Sequence, residues 1–393
     1  MSSQCKSASM NVLFATGTLS LGGLQRVTSI LADGLEQYSD GHVQTALYII
    51  DNAYSKHYEV HTRVVAQETS PWHVFVRKAH SGLHRIFPNM AHGISYEVAA
   101  LVKREHIDVV VVNPELYRTL PGIKKLCPQT RVIMWTHNGY ETYTQRYYAS
   151  EKQQMVLQRA AHAADDIICV NSASARGWQE QFEREASTHM PRIHTMHNPI
   201  TMDTLGLQSG LTQPVIAMSC RLVIEAKGLD YVVQLAQRLP DPWHIRIAGD
   251  GPDRSRFEQM IAEAGMQHKI ELVGALHDDA LREHYATASV LLLLSRWEGF
   301  PLVAGEAMAF GLPVVGFDIP ALRDVADDCG GTRNCDAAGG CGGAGNCSGA
   351  GDCGAVRMAR LGDVEDLYRV LQPLLESIEE RRAQSERSLK RAS

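Results

Sequence analysis

Two glutamates, Glu298 and Glu306, stand in the otherwise apolar stretch SRWEGFPLVAGEAMAFGLPVVGFD, residues 295–318. An unpaired charge in such surroundings is expensive, so each carboxylate needs a partner or a ligand. The two bracket a turn from strand to helix. Backbone amides near Phe300, Leu302 and Val303 can cap that helix and face a diphosphate, since the positive end of the helix dipole lies there. Two cations follow another strand end: VIAMSC closes before Arg221, and Lys227 comes after a short loop beside Gly228. Arginine offers a fork and lysine a point charge, which together suit a diphosphate; the plain alternative is a pair of solvated surface charges. His137 ends the strand RVIMWT. A lone histidine is more often structural, but a strand's carboxyl end is where ligands gather in α/β proteins.

A third anion-facing element is the turn TGTLSLGGLQR. Its spacing is neither G-x-G-x-x-G nor a P-loop. Still, Gly22 and Gly23 sit where a strand turns into a helix, so backbone amides there can approach a phosphate closely. A tight turn is the alternative. No Asp-x-Asp metal motif lies in a suitable place, which favours a metal-independent reaction with no cofactor.

These residues need a scaffold. Short apolar runs alternate with helical periodicity almost throughout: strands are predicted at 11–16, 43–50, 108–113, 131–136 and 166–171, then at 215–220, 244–249, 270–274, 289–294 and 313–318. Near-continuous Val/Ile/Leu runs separated by helices indicate parallel sheets covered on both faces. The first helix shows Leu24, Val27, Ile30, Leu31, Leu35 and Tyr38 at helical spacing. Asp363 is placed to cap a later helix whose apolar face is Leu367, Leu371, Leu374 and Ile378.

The predicted organisation is a loose tail at 1–9, an N-terminal Rossmann-like acceptor domain at 10–200 and a linker at 201–213. A C-terminal Rossmann-like donor domain follows at 214–372, and then a helix and frayed tail at 373–393 that partly cross back to the first domain. With 393 residues, 45% hydrophobic and 21% charged, the chain has a globular composition. A net charge of −6 argues against bulk nucleic-acid binding. No apolar run approaches the length of a membrane span, and the start lacks the apolar core of a signal peptide, so the expected location is cytoplasmic.

Five of the nine cysteines, Cys329, Cys335, Cys341, Cys347 and Cys353, recur every sixth residue in a Gly-rich segment. Splicing Cys329 onto Gly354 leaves a continuous reading, as expected of a tandem expansion within a surface loop at 329–353. A thiolate metal site is the alternative, but the repeat holds no CxxC pair and no histidine. Of the remaining four, Cys169 and Cys220 sit in apolar strands and read as small core residues.

In order and spacing, CRLVIEAKGLDYVV, IRIAGDGPDRSRFE, IELVGAL and RWEGFPLVAGEAMAFGLPVVGFD resemble the large retaining family-4 glycosyltransferases, "glycosyl transferases group 1", of GT-B fold. Glu298 and Glu306 match that family's E-x7-E signature, and MWTHN, ICVNSASARGW and HNPI fit its N-terminal half. The resemblance covers nearly the whole chain outside the tail and the hexad loop. It implies an α/β GT-B architecture, with two Rossmann-like doubly wound domains facing a central cleft. Glu306 would then hydrogen-bond the ribose hydroxyls of a nucleotide sugar and Glu298 would face the donor sugar. His137 would sit near that sugar, stabilising its oxocarbenium-like centre through ring or carbonyl. The implied reaction moves a sugar from a UDP- or GDP-sugar to a hydroxyl of a saccharide or lipid-linked acceptor, with retention, in surface polysaccharide, exopolysaccharide or glycolipid synthesis. The leaving phosphate would accept the acceptor's proton. A non-catalytic accessory subunit and a GT-B-fold nucleotide-sugar epimerase are the alternatives; a dinucleotide-dependent oxidoreductase is disfavoured by the missing glycine fingerprint.

One stretch suggests a surface role. In SPWHVFVRKAHSGLHRIFP, Trp72, Phe75, Val76, Ala79, Leu83, Ile86 and Phe87 form one stripe, with basic residues elsewhere. A basic amphipathic helix with aromatic residues can lie peripherally on an anionic membrane through 72–87; an ordinary packed helix is the alternative.

Overall fold

The computed structural model describes residues 9–19, 22–51, 59–86, 91–185, 187, 189–326 and 354–392, with the side chains of 83–86 left out. The tail before residue 9, the cysteine hexads at 329–353 and the Leu83, Ile86 and Phe87 part of the apolar stripe lie outside the described residues. The chain divides into two compact units, Met1–Pro199 and Ile200–Ser393.

The first unit carries a seven-stranded sheet: β1 (Met10–Thr16), β2 (Val43–Ile49), β3 (Arg63–Ala66), β4 (Val109–Val112), β5 (Arg131–Thr136), β6 (Asp166–Cys169) and β7 (Arg192–Thr195). Their order across the sheet is β3-β2-β1-β4-β5-β6-β7, and every pairing is parallel. The second unit carries β8 (Val215–Ser219), β9 (His244–Ala248), β10 (Ile270–Gly274), β11 (Val290–Leu293), β12 (Val314–Phe317) and β13 (Val356–Ala359). Their order is β10-β9-β8-β11-β12-β13, again all parallel. In their own strand numbers the first sheet runs 3-2-1-4-5-6-7 and the second 3-2-1-4-5-6, the doubly wound arrangement. Its ligand crevice opens at the carboxyl ends of the first and fourth strands, where the order reverses.

All ten predicted strands form, within a residue or two. The three strands not predicted, β3, β7 and β13, lie at sheet edges. β3 and β7 are short and half-exposed, with no fully buried residue, and an edge strand needs no long apolar run because one side lacks a neighbour. Central strands such as VVVV of β4 and VLLL of β11 are buried almost throughout.

Three expectations are corrected. On helix Gly23–Tyr38 the buried residues are Val27, Thr28, Ser29 and Ala32, whereas Leu35 and Tyr38 are exposed. The small polar pair is buried because its hydroxyls donate back to the Leu24 and Gln25 carbonyls. Residues 201–213 are no free linker. Met202 and Leu211 are buried with Val215, Leu293 and Phe310 in the second unit's core.

Nor is the C-terminus frayed. Asp363 caps helix Val364–Glu376 through the Asp366 N–H, and Leu367, Leu371 and Leu374 are buried in the second unit. A last helix, Ile378–Ala392, follows. Its buried Arg381 donates to the carbonyls of Leu211 at 2.8 Å and Leu374 at 2.6 Å, Gln384 donates to Gly354 and Arg391 to Val325. These partners all belong to the second unit, so the segment read as crossing back is built into that unit's core.

Candidate active site

In the second unit the sequence-predicted residues gather at the carboxyl ends of β8 and β11. Arg221 follows β8 and is exposed; among the described residues its guanidinium makes no hydrogen bond or ion pair. Lys227 ends the short helix Ile224–Lys227 and is ion-paired with Glu298 in the loop after β11. Ser295 donates to the same Glu298 oxygen at 2.6 Å. The two loops touch because Gly228 adopts φ 63° and a Cβ there would run into the Leu294 carbonyl. Gly249, at φ 140°, brings the loop after β9 equally close to the Cys220 carbonyl. Burial pushes the Cys220 thiol up to about 12, so it stays protonated and acts as packing, not as a nucleophile.

Glu306 lies on helix Leu302–Ala309 and is only 4% exposed. Its two oxygens accept from the hydroxyls of Thr201 at 2.5 Å and Tyr285 at 3.1 Å. Those two bonds compensate the desolvation that the apolar sequence makes so costly. No side chain caps the amino end of this helix at Pro301. The Leu302 N–H donates to the Phe300 carbonyl, while Phe300 and Val303 pack on the core below. The arrangement offers a helix amino end, a paired lysine and an exposed arginine within one unit. Such a set binds anions, and a neighbouring carboxylate can accept hydroxyl protons.

In the first unit, His137 follows β5. Its Nε2 lies 3.0 Å from Asn113 Oδ1, and Asn113 Nδ2 donates to Thr28 Oγ1 at 2.9 Å. The His137 N–H donates to the Tyr143 hydroxyl at 2.9 Å, and its ring lies 4.2 Å from that of Trp135, centroid to centroid. Burial drives its pKa down to about 3, so the imidazole is neutral at physiological pH. It can act only through its dipole, its neutral nitrogens or its main chain. Gly22 precedes helix Gly23–Tyr38 and supplies no side-chain cap. Gln25, one turn in, donates to Glu115 after β4, whose carboxyl is pushed up by burial.

Sequence reasoning missed Thr201, Tyr285, Asn113, Tyr143 and Glu115. Tyr143 stands only six residues from His137, but the others meet their partners through tertiary structure; Thr201 and Glu306 stand 105 residues apart. No local spacing announces such pairs.

Residues 206–333 match the family described as Glycosyl transferases group 1. The chain carries a group 1 glycosyltransferase domain. An uncharacterized glycosyltransferase of Haemophilus influenzae is 25% identical over 239 residues, 60% of this chain and 64% of that protein. An exopolysaccharide phosphotransferase of Streptomyces coelicolor is 36% identical over 160 residues, 40% of this chain and 16% of that protein. The chain thus spans less than two thirds of either curated relative. Among solved structures, HepE of Anabaena in complex with UDP and glucose has a TM-score of 0.69 at 14% identity, covering 98% of this chain and 95% of that one. That likeness shows the fold: the glycosyltransferase domain and the unit before it are Rossmann-like α/β sheets of GT-B class, as expected from the sequence. Within the glycosyltransferase domain, Arg221, Lys227, Glu298 and Glu306 all lie in the matched segment.

Proposed function

We propose that the protein is a retaining glycosyltransferase that moves a hexose from a UDP- or GDP-sugar to a hydroxyl of a saccharide or lipid-linked acceptor. The observation that carries this reading is the ion pair of Lys227 with Glu298 at the carboxyl ends of β8 and β11, with Glu306 buried on the helix that follows. The UDP and glucose bound to HepE support a uridine donor. The name of the Streptomyces relative supports a place in polysaccharide synthesis.

In this mechanism Arg221, Lys227 and the amides of Phe300 and Val303 stabilise negative charge growing on the departing diphosphate. Preorganisation matters most there, and Lys227 is already fixed by Glu298. Glu306 accepts from the ribose hydroxyls while Thr201 and Tyr285 hold its orientation. A carboxylate has about four acceptor sites, so the ribose adds to these bonds without displacing them. In the first unit, His137 is neutral and is oriented by Asn113. The cations replace a divalent ion, so EDTA leaves turnover unchanged.

The protein works from the cytoplasmic face of a membrane, touching it through helix Pro71–Ile86. That helix is packed the wrong way round for an ordinary amphipathic helix. Arg77 pairs with Glu97 and His80 stacks on Tyr96 at 4.3 Å, so polar residues face the protein. Trp72 and Phe75, stacked on each other, are 69% and 63% exposed, with Lys78 exposed beside them. Outward aromatic rings with a cation suit an anionic lipid surface.

A panel of UDP-, GDP- and ADP-sugars in thermal-shift and hydrolysis assays tests the reading. One nucleotide series stabilises the protein and is hydrolysed slowly without acceptor; no response to any donor rejects the activity.

A further inference from the structure

The turn that carries Lys227 is held from the opposite loop by Arg296 as well as by Glu298. Arg296, after β11, donates to both carboxylate oxygens of Asp230 at 2.9 and 2.7 Å. Its Nη1 also donates to the carbonyls of Ile224 at 3.3 Å and Glu225 at 3.0 Å. The guanidinium lies 4.2 Å from the centroid of the Tyr231 ring, and the Arg296 N–H donates to the Ala226 carbonyl at 2.9 Å. Residues 224–226 and 230–231, on both sides of Lys227, are thus tied to the loop that carries Glu298.

We propose that Arg296 is the positioning residue of a diphosphate subsite: it fixes the turn so that Lys227 is presented to the phosphates beside Glu298. This rests on the nucleotide-sugar reading. The Arg296 guanidinium is committed to Asp230, to two carbonyls and to the Tyr231 ring, so Arg296 acts through geometry and not as a phosphate ligand. Its planar fork makes bonds to a carboxylate, to two carbonyls and to an aromatic face at once, which a lysine cannot reproduce. The subsite therefore distinguishes nucleoside diphosphates from monophosphates, because only the former reach Lys227.

Calorimetric titration of UDP against UMP, and of GDP against GMP, reads this preference directly. The wild type binds one diphosphate more tightly than its monophosphate, and Lys227→Ala reduces the difference. Arg296→Lys reduces the preference about tenfold, the worth of one charge-assisted contact, while monophosphate affinity stays unchanged. Asp230→Asn, which keeps the side-chain shape but breaks the charged fork, does the same and serves where Arg296→Lys fails to fold. A preference retained in both variants overturns the inference, as does equal weakening of diphosphate and monophosphate, which marks a merely structural latch. Binding of UDP or GDP without preference in the wild type overturns the subsite alone. Absence of binding by either overturns the nucleotide reading and the inference with it.

Discussion

The carboxylates in the apolar stretch can be understood one residue at a time. Glu306 is affordable because Thr201 and Tyr285 each donate a hydroxyl to it. Tyr285→Phe keeps the packing against Phe310 and loses one donor to a buried charge, a change worth about 1–3 kcal/mol of stability. Thermal denaturation should show that loss, together with several-fold weaker nucleotide binding if Glu306 holds the ribose. His137 makes a second residue-scale prediction. Its pKa falls from 6.5 to about 3 on folding because burial disfavours the cation. Between those values the unfolded chain binds a proton that the folded chain does not, so stability drops as pH falls below 6.5. His137 alone contributes a loss of roughly 2 kcal/mol between pH 6.5 and pH 5. Chemical denaturation of the wild type and His137→Asn across this range measures it; an unchanged slope in the variant removes His137 as the cause.

At the level of elements, what the sequence made legible was periodicity, and what it hid was the direction in which a face points. The central strands announce themselves as continuous apolar runs because both faces are buried. Edge strands β3 and β7 carry no such run. Helix Pro71–Ile86 has an evident stripe, yet Trp72 and Phe75 point outwards and Arg77 points in, which spacing alone does not reveal. Trp72→Glu with Phe75→Glu should therefore leave the melting temperature within about 1–2 °C, as expected of surface changes. The same pair should abolish co-flotation with vesicles containing phosphatidylglycerol; undiminished flotation rejects the membrane face. The last helix makes the opposite case. Arg381 reads as an exposed basic residue of a polar tail, but it is buried and bonds two carbonyls. Arg381→Ala should destabilise the second unit by about 3 kcal/mol, since it leaves those carbonyls without their donor.

Across the whole chain, the fold was more legible than the site. Ten of thirteen strands and their grouping into two doubly wound sheets follow from alternation of apolar runs and helices, a long-range pattern written in local composition. The anion-binding set of the second unit was readable because strand ends lie next to their own loops in sequence, so Arg221, Lys227, Glu298 and Glu306 could each be placed. Their partners could not: Thr201 lies in a stretch whose turn formers imitate a linker, and Asp230 and Tyr285 sit in ordinary helices. The measurement that bears most directly on the account is donor binding and hydrolysis by wild type and Glu306→Ala, across UDP-, GDP- and ADP-sugars with and without EDTA. One nucleotide series should stabilise the wild type irrespective of EDTA, and Glu306→Ala should lose that stabilisation while remaining folded. Equal stabilisation of wild type and Glu306→Ala would contradict the assignment of Glu306, and no stabilisation by any nucleotide sugar would contradict the glycosyl-transfer reading itself.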